Sequence, residues 1–80
     1  MIYITNSCNE KIECKRLIEA PIWQPKTEEI IYIIYAQGYD GVRLVPLFRY
    51  FTREEMEAKY AELFADYMEQ AEAEYKNKIT

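Results

Sequence analysis

Histidine is absent from this 80-residue chain, and cysteine occurs only at Cys8 and Cys14. Without imidazole, acid–base chemistry near neutral pH falls to carboxylates, lysine, tyrosine or a thiol, and a metal site loses its commonest ligand. Cys8 and Cys14 lack the spacing of a zinc pair, and a cytosolic setting would hold both as reduced thiols. No base is placed to activate either one. Two glycines and three prolines leave little chain for long loops. Gly38 and Gly41 suit a turn better than a phosphate cradle. The longest apolar run, residues 30–36, is about a third of a membrane span. The opening MIYITNSCNEK lacks the basic start and apolar core of a secretory signal. The expectation is a soluble, cytoplasmic protein, in the host-cell cytoplasm if the source is viral. Basic charge is also short, with ten Lys and Arg against fourteen Asp and Glu, a net of −4. That leaves little with which to displace counterions, so direct nucleic-acid binding is disfavoured. No catalytic residue, cofactor or metal is expected, and no membrane contact.

Half of the residues are apolar and 30% are charged, the balance of one folded domain over residues 1–80. Eight tyrosines stand out, each with a large ring and a polar tip suited to half-buried sites and interfaces.

The strongest local pattern is C-terminal. Thr52 and Glu55 have capping-box spacing, which predicts a helix beginning there. Met56, Tyr60, Leu63, Phe64, Tyr67, Met68, Ala71 and Tyr75 follow in steps of three and four, one apolar stripe on a 3.6-residue period. Glu54 and Glu55 suit the positive end of the helix dipole, and Lys76 and Lys78 the negative end. Glu55–Lys59, Glu72–Lys76 and Glu74–Lys78 are each spaced for ion pairing.

The segment EEIIYIIYAQGYDGVRLVPLFRYF, residues 28–51, reads as a hairpin turning at Gly38 and Asp40-Gly41. A helix from Thr27 to Gly38 is the competitor. With a five-residue loop, Ala36 faces Val42 and one face carries Ile34–Leu44, Tyr32–Pro46 and Ile30–Phe48. The other carries Tyr35–Arg43, Ile33–Val45, Ile31–Leu47 and Glu29–Arg49, an apolar centre with charge at its ends. Pro46 has no amide to donate, which predicts an edge strand or a bulge. Upstream, MIYIT is a strand, and residues 11–20 alternate as a second strand with a slip at Arg16-Leu17. A short helix over residues 8–19 is the alternative there. APIWQPKT, with Pro21 and Pro25, reads as an extended linker that could lay Trp23 over the outer hairpin face. The fold class is therefore α+β: a small antiparallel sheet of about four strands, in the order β-β-β-β-α, on one long C-terminal helix.

Two candidate partner-binding surfaces result. One is an acidic helix face of Glu55, Glu62, Asp66, Glu69 and Glu72, opposite the apolar stripe. It is either a solvated face or a row of carboxylates imitating a phosphate track. The other is the outer hairpin face of Ile31, Ile33, Tyr35, Arg43, Val45, Leu47 and Arg49. The general type (small, acidic, tyrosine-rich, one long helix on a short sheet) resembles the inhibitors that phages and mobile elements make against host nucleic-acid machinery, including anti-CRISPR proteins. The likeness is of composition and layout, shares no motif and carries over no functional residue. It implies a non-catalytic protein-binding module, an inhibitor of nucleic-acid-mimic type whose partner has a basic surface. The alternatives are a small sheet-based nucleic-acid-binding or regulatory protein, and a homodimer that hides the hairpin face against its own copy.

Overall fold

Alternating apolar residues build a two-layer α+β domain in the computed structural model, which describes residues 1–79. Five strands and one helix follow in order: β1 (Tyr3–Thr5), β2 (Lys11–Glu13), β3 (Arg16–Gln24), β4 (Glu29–Gln37), β5 (Leu44–Tyr50) and α1 (Arg53–Ile79). β1 and β2 form a small hairpin, and β3-β4-β5 form a separate antiparallel meander. The strand count is thus five in two sheets rather than about four in one.

Residues 20–24 of the expected linker are the second half of β3, and its last three residues lie in the turn that follows. Pro21 sits opposite Tyr32, Ile22 opposite Ile31 and Trp23 opposite Ile30. Proline is tolerated because β3 is an edge strand, where a missing amide need not cost a ladder bond. The chain reverses over residues 25–28, with Glu28 at a φ of 55°. The slip expected at Arg16-Leu17 is not there: both residues pair regularly within β3, and the break between strands falls at residues 14–15. Cys14 donates its amide to Ile2 and Lys15 donates to Gln37, carrying the chain from one sheet to the other. Neither alternative helix forms. The β1–β2 turn is held by Asn6, whose side-chain oxygen accepts from the amides of Cys8 and Glu10, both at 2.9 Å.

β4 and β5 pair as an antiparallel hairpin, but in a different register from the one counted out. Ile33 faces Arg49 and Ile34 faces Phe48; then Tyr35 faces Pro46 and Ala36 faces Val45. Leu47 is the extra residue of a bulge, so Leu47 and Phe48 both turn toward the helix. The loop is longer than expected because Asp40 organises it. Its carboxylate accepts from the amides of Val42 and Arg43, and Gly38 donates to the Arg43 carbonyl at 2.9 Å. Those two amides hold the Asp40 carboxyl below the usual range.

The core lies between the meander, the β1–β2 hairpin and the helix. Ile2, Ile4, Cys14, Leu17, Ile34, Ala36, Leu47, Met56 and Leu63 are buried there. Helix capping is half of the expected box. The Glu55 amide donates to Thr52 Oγ1, but the Thr52 hydroxyl, rather than its amide, donates to the Glu55 carboxylate. Two polar contacts pin the helix to the N-terminal strands. The Gln70 side-chain amide donates to the Tyr3 carbonyl at 2.8 Å and accepts from the Tyr3 amide at 3.1 Å. It thereby satisfies a strand edge that would otherwise stay unpaired. The Tyr67 hydroxyl donates to the Lys15 carbonyl.

Candidate functional site

The side of the meander away from the helix is open. Antiparallel pairing puts directly opposed residues on one side of a sheet. The residues paired with Ile34 and Ala36 therefore face the core, and the alternate set faces out. That outer set is Ile18, Ala20 and Ile22 on β3, Ile31, Ile33 and Tyr35 on β4, and Leu44 and Pro46 on β5. The apolar side chains packed on the core belong instead to the helix, the β1–β2 hairpin and the inner side of the meander. Ile18, Ile22, Ile31, Ile33 and Tyr35 are half-buried only by their neighbours on the face, and Leu44 is 50% exposed. Arg16 and Gln37 stand at one end of this face, Gln24 and Glu29 at the other, and Arg49 on its β5 edge. A contiguous apolar face with a polar rim has the anatomy of a protein contact surface.

The expected outer face is corrected in part. Ile31, Ile33, Tyr35 and Arg49 lie on it. Val45 and Leu47 do not, because the bulge reverses the alternation and sends both inward; Leu47 is 2% exposed. Arg43 precedes β5 and belongs to the loop. The Glu29–Arg49 pair is not made, since Glu29 sits opposite Gln24 and Arg49 opposite Ile33. Trp23 covers nothing on this face. It shares the helix side with Ile30, beyond the start of the helix, and is 57% exposed in a shallow cluster with Tyr32 and Phe51. Sequence reasoning missed Ile18, Ala20, Ile22, Leu44 and Pro46. The first three carried a usable signal, the alternation Ile18-Glu19-Ala20-Pro21-Ile22, which keeps its parity through Pro21.

On the helix, all five acidic candidates are exposed. Several are already engaged locally. Glu55 takes part in the cap, Glu62 pairs with Lys59 at 3.4 Å, Asp66 accepts from Gln70, and Glu72 pairs with Lys76 at 3.2 Å. Lys59 also lies over the Phe48 ring, 4.5 Å from its centroid, so its charge is drawn toward the sheet. Glu62 and Asp66 border a groove shared with Asn6, Ser7 and Asn9 of the β1–β2 turn. The apolar stripe is wider than the sheet covers. Met56, Tyr60, Leu63 and Tyr67 meet the core, while Phe64, Met68 and Tyr75 stay exposed on the flank. Glu74 pairs with the Met1 amino group rather than with Lys78.

The two thiols are poorly placed for nucleophilic chemistry. Cys14 is buried, and burial pushes its thiol from 9.0 up to about 11, so it stays protonated across the neutral range. Cys8 is exposed on a turn, where its amide bonds to Asn6. Among the described residues, no group of three carboxylates or thiols is placed to hold a metal ion. Among them, too, no helix is long and apolar enough to cross a membrane. Comparison of the chain with protein-family models, with curated proteins and with solved structures finds no match.

Proposed function

We propose that this protein is a non-catalytic protein-binding module whose principal contact surface is the outer face of the β3-β4-β5 sheet. The observation that carries the reading is the uncovered apolar face itself, with Ile31 and Ile33 at the centre of its middle strand. Leaving those side chains in water forfeits roughly 25 cal/mol per Å² of apolar surface, a loss that burial against a protein recovers. Aliphatic rows also suit a protein better than single-stranded nucleic acid. Base-stacking platforms use several aromatic rings, and Tyr35 is the one ring on this face among the described residues.

The test is a photo-reactive benzoylphenylalanine in place of Tyr35, with the same group at exposed Val42 as control. A discrete protein adduct at position 35, identified by mass spectrometry, is the expected result. No adduct above the Val42 background would sink the reading.

Within that proposal, the exposed row Glu62, Asp66 and Glu69 supports a finer reading. The module is an inhibitor directed at a basic surface that otherwise holds nucleic acid, in the manner of phage-encoded inhibitors. Carboxylates spaced four and three apart on one helix flank present a line of negative charge. Reversing all three to lysine is expected to weaken binding to a basic nucleic-acid-binding protein by about a hundredfold or more while circular dichroism stays unchanged. An unchanged affinity would reduce the row to a solvated face.

A further inference from the structure

Resting on the protein-binding reading of the outer face, we propose that its occupant is a second copy of this chain, packed face to face with its strands running antiparallel to the first. Both edges of the meander resist strand addition. Pro21 interrupts the donors of β3, and Pro46 with the adjoining bulge does the same to β5. Self-association through added strands is therefore blocked, while the broad face stays open.

The charges of the face choose both the partner and its direction. Arg16 stands at one corner beside Gln37, and Glu29 at the diagonal corner beside Gln24. A two-fold axis lying between the sheets and across the strands lays Ile18 over the second copy's Ile22. The same axis lays Ile33 over the second copy's Ile33. Each Arg16 then reaches the corner that holds the second copy's Glu29, and the contact is made twice, as symmetry requires. An axis along the strands would instead stack Glu29 on Glu29. The face is thus better matched to itself in the first orientation, with two attractive corner contacts. Arg49 lies in the row of Ile33, so this axis also brings it near the second copy's Arg49; that single repulsion falls at the hydrated β5 rim, where water screens it, against two Arg16–Glu29 attractions.

The contact area is modest. Nine residues at ~3.3 Å each and three strands ~4.8 Å apart give a face of roughly 30 by 14 Å per copy. The two faces together bury on the order of 1,000 Å², the low end for a specific interface, so a weak, concentration-dependent association is expected. Such a dimer leaves both helices outside, with two acidic flanks available to one extended partner.

Sedimentation equilibrium from low-micromolar to millimolar chain tests this. The apparent mass is expected to rise to twice the monomer value. Arg16→Glu alone and Glu29→Arg alone should each weaken association about tenfold, since each removes two ion pairs and sets like charges at two corners. The double variant Arg16→Glu/Glu29→Arg restores complementarity and should recover the wild-type constant. Ile33→Glu should remain monomeric with its helix signal intact. A chain monomeric at every concentration overturns the proposal, as does a double variant no tighter than the singles. A monomer that still gives a protein adduct through position 35 loses only the second copy as occupant. A monomer without that adduct loses the protein-binding reading as well.

Discussion

Ile34→Ala is expected to cost about 2–5 kcal/mol of folding stability, whereas Ile33→Ala, one residue earlier on the same strand, should cost less than about 1 kcal/mol in the dilute monomer. Ile34 is wholly buried in the cluster that joins Ala36 and Leu47 to Met56 and Leu63 of the helix. Truncation there removes three carbons from a close-packed site on the middle strand, where paired neighbours on both sides prevent collapse into the void. Ile33 points to the open side, so its truncation sheds surface that was already partly wet. A domain this small holds on the order of 5 kcal/mol in all, so the first change consumes much of the margin. Urea titrations at low protein concentration will show the contrast as a large fall in midpoint for Ile34→Ala and a small one for Ile33→Ala. Equal losses would mean that something in the fold covers the outer face, and both functional proposals would lose their footing.

That contrast also marks where the sequence was readable. The helix was legible because period, cap and dipole signals agree over a long stretch and depend on no distant partner. The assignment of Ile31, Ile33 and Tyr35 to the outer side was legible for a similar reason: parity along one strand needs only the strand. Pairing was not. Register depends on loop length and on any inserted residue, and the Asp40 side-chain bonds that lengthen the β4–β5 loop are tertiary detail. Pro21 misled for a different reason. Proline marks a linker and an edge strand equally well, and only the existence of β4 as a neighbour decides between them. Arg43, Val45 and Leu47 were misplaced by the longer loop and the bulge together. The acidic row was legible as a geometric feature, because spacing on one helix fixes it. What the row meets is a property of a partner and lies in no local pattern.

The bulge supplies the other large effect. Deleting Leu47 leaves a regular ladder, since Ile34–Phe48 and Tyr35–Pro46 would then be consecutive pairs. Strand pairing alone would thus favour the shorter chain, and the inserted residue must be retained for something else. Two contacts explain it. The Leu47 side chain fills the core between sheet and helix, and its carbonyl accepts the Ser7 amide at 3.1 Å, tying the β1–β2 turn to the meander. Deletion removes both, a buried leucine at about 2–5 kcal/mol and a hydrogen bond at about 1. At about 4–8 °C per kcal/mol for a domain of this size, the melting temperature should fall by roughly 15 °C or more. Leu47→Ala keeps the bulge and the carbonyl, so it should lose the packing contribution and retain the Ser7 bond. Hydrogen exchange at the Ser7 amide separates the two variants: protection persists in Leu47→Ala and disappears in the deletion. A deletion as stable as the parent would show that the bulge serves neither contact. Leu44 and Pro46 would still face outward in the shortened ladder, so the dimer contact should survive wherever the chain remains folded. Core anchoring and surface recognition are therefore separable in β5, with Leu47 serving the first and its neighbours on the alternate parity serving the second.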